Sequence, residues 1–414
     1  MRTSLNLFFR MSNTPTKHKY GFKAWQPTIG LALATFIFNT SEFLPVGLLP
    51  DIAESMGDTV AETGLIITGY AWVVALMSLP MTVVTAKIER RKLMLWLVAI
   101  FAASHFIVLW ANTFEKLFAA RLCVALVHSI FWSIMTPLAA RMAPFGKQAL
   151  GLAAVMGGCI VATVLGIPIG TKLGHWFGWQ EAFFVIGLAA SLIWVLIYAV
   201  LPEAPSNRAG SLKSLPVILK RPALIQLYLL TAITILGQFT AYSYISPILM
   251  NVGGVSPDNV VDILFVFGIA GIIGTVISAK TVDKHTSATL LVPLVLLTAC
   301  LAGFGPISSN WPALIALTVV WGASMTAMAM AFQTILLKVG HDAADIATSL
   351  YSGIFNIGIG GGAAVGSFVA ATYGFAPINF VAAALTGISM LICFAVLLKT
   401  GCAVIPYQDP AKNE

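Results

Sequence analysis

Charge is what this sequence has least of. Asp, Glu, Lys and Arg make up 9% of 414 residues, against about 25% in soluble domains, which excludes an ordinary water-soluble fold. Cysteine is sparse as well. The five (Cys123, Cys159, Cys300, Cys393, Cys402) are odd in number and scattered, four of them in apolar runs. That excludes a disulfide framework and a thiolate metal site and predicts packing residues. There is no Gly-rich phosphate loop ending in Lys-Ser/Thr, no HExxH pair and no nucleophile elbow, the motifs that would mark nucleotide, metalloprotease or hydrolase chemistry. No metal and no cofactor is expected, and no catalytic domain, so any work must draw on an ion or solute gradient. A signal-peptide core is missing too. Residues 1–25 carry Arg2, Arg10, Lys17, Lys19 and Lys23 around a short apolar patch, Leu5 to Phe9, too short for such a core. This end is expected to stay in the cytoplasm.

What fills the sequence is apolar residue, 58% of the chain, with a mean hydropathy of +0.91. The runs are continuous rather than alternating, which predicts membrane-spanning helices and not a barrel. Twelve spans are read, at 26–50, 61–85, 93–111, 116–139, 148–172, 180–201, 223–250, 258–279, 287–307, 311–337, 346–373 and 376–398. The net charge of +7 does not mark a nucleic-acid binder, because the basic residues sit in alternate loops. One side holds the N-terminal residues above with Lys87, Arg90, Arg91, Lys92, Arg141, Lys147, Arg208, Lys213, Lys220, Arg221, Lys280, Lys284, Lys338, Lys399 and Lys412; the other holds Lys116 and Lys172. By the positive-inside rule both termini are cytoplasmic.

The longest interior break, 202–222, has the Pro, Ser and basic content of a cytoplasmic linker. It divides the chain into six-helix bundles at 26–201 and 223–398, flanked by tails at 1–25 and 399–414. The halves echo one another. Ala86-Lys87-Ile88-Glu89-Arg90 follows span two as Ala279-Lys280-Thr281-Val282-Asp283-Lys284 follows span eight, and Gly166-Ile167-Pro168-Ile169-Gly170 in span five answers Gly358 to Gly362 in span eleven. Parallel repeats with a site between them near the midplane are the transporter pattern. The glycines also allow close helix packing, and the prolines within spans (Pro45, Pro80, Pro137, Pro168, Pro247) are read as shape.

The organising residue of the first span is Glu42. At about 1.5 Å per residue it lies roughly 20 Å beyond Ile29, past the middle of a hydrocarbon layer about 30 Å thick. An ionisable group at that depth faces a bundle interior or watery cavity and can carry a proton. Asn39 and Thr35 share its helical face, predicting a polar stripe on a cavity wall. Span four carries Arg121, with His128 and Trp132 on one face. Arg121 is open to neutralising a carboxylate, holding carbonyls or reaching the interface. His128 is read as a proton relay, a ligand partner or a packed neutral histidine, and Trp132 as a ligand platform or packing. Further candidates for substrate binding are Tyr70, Gln238, Tyr242, Gln333 and Asn356, with Ser349 and Ser352 beside the last. Amides and phenols both donate and accept, which suits a hydroxyl-rich solute better than an ion; the competing reading is interhelical hydrogen bonding.

These residues resemble the major facilitator superfamily, in its twelve-helix drug-proton antiporter branch, and most closely the bacterial sugar efflux transporters. The resemblance covers about residues 26–400 and rests on FNTSEFLPVGLLPDIAESMG, YAWVVALMSLPMT, ERRKLM, SIFWSIMTPLAARMAP, GSLKSLPVILKRPAL, AYSYISP and SGIFNIGIGGGAAVG. The superfamily's loop motif survives as Lys87, Arg90 and Arg91, with Thr82, Ala86 and Glu89 at its first Gly, its Asp and its second Gly. Its second copy keeps Asp283 and Lys284. Arg121 matches the arginine of the span-four motif, Gly166, Pro168 and Gly170 resemble the antiporter motif, and Trp179-Gln180 departs from the usual Trp-Arg pair. What the resemblance implies is a pseudo-symmetric all-α membrane fold in the bacterial inner membrane. It also implies export of a small sugar by a monomeric carrier with inward proton flow through Glu42, aided by His128. Multidrug efflux on the same fold is the close alternative. A membrane enzyme acting on lipid-linked substrates would need an acidic, His or Lys cluster at one membrane face, which Glu42 and Arg121 do not make.

Overall fold

A computed structural model describes residues 21–145, 147–206, 215–307, 310–340 and 344–399. Arg2, Arg10, Lys17, Lys19, Arg208, Lys213, Cys402 and Lys412 lie outside them. Twelve helices among the described residues are long and apolar enough to cross a membrane, and the protein is an all-helical, multi-pass membrane protein. In the first half the helices are α1 (Phe22–Met56), α2 (Val60–Val84), α3 (Arg90–Ile107), α4 (Phe114–Met142), α5 (Gln148–Val161), α6 (Ile167–Phe177) and α7 (Trp179–Val200). After the short α8 (Leu215–Ile218) come α9 (Pro222–Tyr242), α10 (Ile245–Asn251), α11 (Pro257–Thr281), α12 (Thr286–Ile307), α13 (Trp311–Val339), α14 (Ala344–Tyr373) and α15 (Ile378–Lys399).

Two spans are not the uninterrupted helices the hydropathy suggests. Span seven breaks between α9 and α10 at Ser243 and Tyr244. Pro247 stands four residues beyond Ser243, so its ring would meet that carbonyl and it has no N–H to bond it. Span five holds a π turn, Ala162–Gly166, between α5 and α6, just before Pro168, where the missing N–H unsettles the regular ladder. α1 begins at Phe22, within the stretch assigned to the tail.

Polar residues set helix starts where the apolar pattern is silent. Thr59 and Glu62 cap α2 reciprocally, side chain to backbone in both directions. Asn310 accepts the Ala313 N–H at the start of α13. The Glu89 carboxylate caps α3 by accepting the N–H groups of Arg91 and Lys92, both at 2.8 Å, and also takes the Ala204 N–H at 2.6 Å. The Arg90 N–H returns the tie to the Ala204 carbonyl, so the chain leaving α7 is clamped to the α2–α3 loop. Burial opposes the charge on Glu89, but these three amide donors hold its carboxyl below the usual range.

Buried apolar side chains form two clusters. One lies wholly in the first half. The other fills the second half and takes in Val46, Leu49, Ile67, Ala71 and Ile167 from the first. Those shared residues lie along three seams, α1 against α10, α2 against α14, and the π turn with α6 against α11. The loops carrying Lys87 to Lys92, Lys147 and Lys280 to Lys284 define a basic end; the seams close toward the far end. There Ser246 donates to the Val46 carbonyl at 3.0 Å, Ser367 to that of Ala61 at 2.8 Å, and Lys172 faces Asp258 at 3.6 Å. All three contacts join the halves.

Candidate functional site

Closure at the far end leaves a cavity of about 1070 Å³ between the halves. It reaches from the basic end, where Arg90, Arg141, Leu337 and Ile346 line it, to Glu42 and Asn39. α14 contributes Ser349, Ser352 and Asn356, and α13 contributes Gln333. The spacing of the α14 residues, three and four apart, puts their polar groups on one face. Facing walls are apolar, among them Leu79, Val83, Met156, Ile272 and Phe239.

Glu42 is 10% exposed and stands with its carboxylate 3.4 Å from His128 Nε2. His128 is fully buried behind Trp132, which lines the cavity. The Trp132 indole N–H hydrogen-bonds His128 Nε2, and Tyr70 Oη bonds Nδ1. An indole N–H only donates, so neutral His128 must carry its hydrogen on Nδ1 and give it to Tyr70. Nε2 is then the atom at which Glu42 and Trp132 meet. With that lone pair taken by the indole, a proton at this point sits on the Glu42 carboxyl, and His128 takes it only by giving up the Trp132 bond.

Arg121 does not reach the interface; it is 2% exposed. Its guanidinium lies 4.5 Å from the Tyr70 ring centre and 5.6 Å from that of Phe183. It donates to Ser41 Oγ at 3.0 Å and to the backbone carbonyl of Glu42 at 3.5 Å. Ser41 in turn contacts His105 Nε2 at 2.7 Å, and His105 Nδ1 contacts the Phe101 carbonyl at 2.7 Å. The carbonyl only accepts, so Nδ1 carries the hydrogen and Nε2 accepts from Ser41. Sequence reasoning passed over Ser41 and His105. A histidine inside the apolar run of α3 was the available signal.

The structure separates the other candidates. Asn39, Gln333 and Asn356 line the cavity. Asn39 donates to the Cys159 carbonyl of α5 at 3.4 Å. Asn356 is 6% exposed; its Nδ2 donates to the Ser352 carbonyl, and its Oδ1 is buried with no protein partner. Thr35 leaves the expected polar stripe, buried and bonded back to the Leu31 carbonyl. Gln238 and Tyr242 also lie off the cavity. Gln238 accepts the Trp321 indole N–H at 2.6 Å, and Tyr242 packs among Phe239, Phe267 and Trp321. Both are spent inside the second half, because a buried indole and a tight ring cluster need them there.

The motif residues fall at the basic end or on helix contacts. Lys87 and Lys284 are exposed. Arg90 bonds the Thr85 and Ala86 carbonyls, Arg91 the Tyr198 carbonyl, and Asp283 pairs with Lys338 at 2.5 Å. A side chain at Gly166 would strike Thr40, and one at Gly170 would strike Leu44, so both glycines seat span five on α1, with Pro168 between them. In α14, Gly358 and Gly362 seat the helix on α9, while Gly360 admits Trp72 of α2.

A solute-sized cavity between two helical bundles, closed at one end and carrying an ionisable group at its head, defines a membrane carrier. Residues 31–345 match the Major Facilitator Superfamily, and the chain belongs to that superfamily; it is a transporter of small molecules and not an enzyme. Solved structures agree on the fold. A bacterial homologue of the human lysosomal transporter Spinster, crystallised inward-facing and unoccupied, matches with a TM-score of 0.68 at 16% identity, over 93% of this chain and 96% of that one. The human organic anion transporter TETRAN matches with a TM-score of 0.64 at 16% identity, over 90% and 100%.

Proposed function

We propose that this transporter exports small sugars or glycosides from the bacterial cytoplasm across the inner membrane by antiport against protons, as a single chain with both termini inside. The basic end is then the cytoplasmic face, and the cavity stands open to it. The observation that carries the reading is one cavity with two unlike ends of chemistry. Glu42 and Trp132, with His128 buried behind them, head it, and Gln333, Ser349, Ser352 and Asn356 line one side. Asn356 Oδ1, buried beside the cavity without a protein partner, suits a ligand hydroxyl once the side chain turns toward it. Protonation of Glu42 from outside and its release toward the cytoplasm alternate with sugar occupancy. One proton moving down 100 mV supplies about 2.3 kcal/mol, enough for a gradient of roughly fifty-fold.

The apolar wall of Leu79, Val83, Met156 and Ile272 favours a second reading, efflux of amphipathic drugs. Proteoliposomes with an imposed pH difference, offered a panel of sugars and cationic drugs, separate the two. Glu42→Gln mimics the protonated acid. It is expected to abolish accumulation driven by the pH difference while leaving downhill sugar exchange measurable. Continued uphill accumulation by this variant would refute coupling through Glu42.

A further inference from the structure

Hydroxyls in these helices have a default partner, the carbonyl four residues back. Thr35 takes Leu31, Thr40 takes Phe36 and Thr171 takes Ile167. Ser41, next to Glu42, reaches across to His105 on α3 instead, and so offers its oxygen to Arg121. His105 is fully buried, its ring centre 4.1 Å from that of Phe101 with the two planes tilted by 35°. With Nδ1 committed to the Phe101 carbonyl, its Nε2 is a fixed acceptor. The guanidinium held by Ser41 touches Glu42 only at the backbone carbonyl.

We propose that His105 is a positioning residue for proton coupling: by drawing the Ser41 hydroxyl off its own helix, it anchors Arg121 to Ser41 and keeps the guanidinium from turning onto the Glu42 carboxylate. Without that acceptor, Ser41 returns to the carbonyl of Ile37 and Arg121 loses its partner. The Glu42 carboxylate, one residue on and already within the electrostatic reach of Arg121, is then the acceptor open to it. An ion pair there would hold Glu42 ionised and obstruct proton uptake. The titratable and charged groups around Glu42 are His128 and Arg121 from α4, Tyr70 from α2 and Cys159 from α5; Arg121 is the charged group facing His105.

This inference rests on the coupling role of Glu42, and the test keeps the two apart. Infrared spectroscopy of the purified full-length protein follows the carboxylic-acid stretch that Glu42→Gln removes, as a function of pH and with no substrate present. In His105→Phe and in Ser41→Ala the band is expected to titrate about one pH unit lower or more, the effect of an opposite charge brought to contact. The double variant is expected to shift no further, because both changes cut the same tether. His105→Gln, whose amide can accept from Ser41 and donate to Phe101, is expected to restore the wild-type titration. An unmoved band in Ser41→Ala, which removes only one hydroxyl, overturns the proposal, as do additive shifts in the double variant. If the shifts occur but the wild type accumulates no solute under a pH difference, the positioning role stands and the coupling reading falls.

Discussion

Gly268 marks the point where the α11 seam closes, and replacing it with alanine tests whether the seam opens. An added Cβ would lie 2.7 Å from Val164 Cα and 2.8 Å from the Thr163 carbonyl oxygen. Both are backbone atoms of the π turn, so no rotamer change relieves the clash, and the two helices must part. Overpacking of this kind costs about 1–3 kcal/mol. The strain is confined to the state in which the far end is shut, so the equilibrium should move toward far-end opening by roughly 5- to 150-fold. Ser246, 1% exposed at the closed end, is the reporter: as Ser246→Cys in a chain freed of its five native cysteines, it is labelled by an impermeant maleimide from the far side. Gly268→Ala should speed labelling by that factor. Gly362→Ala is the control, since its Cβ would lie 2.5 Å from the Leu236 carbonyl oxygen and 2.8 Å from the Thr240 nitrogen, both within the second half. That variant should melt earlier without labelling faster. Equal labelling of Gly268→Ala and the parent, or an equal gain in both variants, would refute the reasoning.

Gln238→Leu leaves the buried Trp321 indole N–H without its acceptor and should lower stability by about 1–3 kcal/mol with substrate affinity unchanged; lost affinity at full thermal stability would return Gln238 to the binding wall. Asn356→Leu removes the unpartnered Oδ1 beside the cavity and should weaken sugar binding by about 1–3 kcal/mol, read by calorimetry on folded protein; unchanged affinity would make Asn356 a packing residue. Glu89→Ala removes a cap and the Ala204 clamp and should cost about 1 kcal/mol in melting experiments. Because the folded Glu89 carboxyl is held low, its contribution is complete above the ordinary carboxylate value of about 4.3. It is lost as pH falls through Glu89's own lower value, so the gap between wild type and variant should close in acid; a gap that widens there would contradict the clamp.

Much of the architecture was legible because the bilayer imposes length and apolarity on every span. Runs of about 20 apolar residues are visible without knowing their neighbours, and Glu42 stood out because a carboxylate in such a run is rare. Helix breaks were less legible. Pro247 and Pro168 were visible as residues, but whether a proline bends, breaks or widens a helix depends on what packs beside it, as Pro45, inside an unbroken α1, shows.

The tertiary structure alone decided which polar residues face the cavity. Gln238 and Asn356 carry similar amides in apolar runs, and helical spacing treats them alike. One meets a buried indole from α13 and is consumed by it, while the other lines the cavity with a buried Oδ1 that no protein group takes up. The same holds for Ser41 and His105. They are 64 residues apart, and their joint grip on Arg121 exists only once α1, α3 and α4 are packed together. Hydrophobic length is a property of a segment by itself, whereas the partner of a buried polar group belongs to a neighbouring helix, and no one-dimensional pattern in a single chain records it.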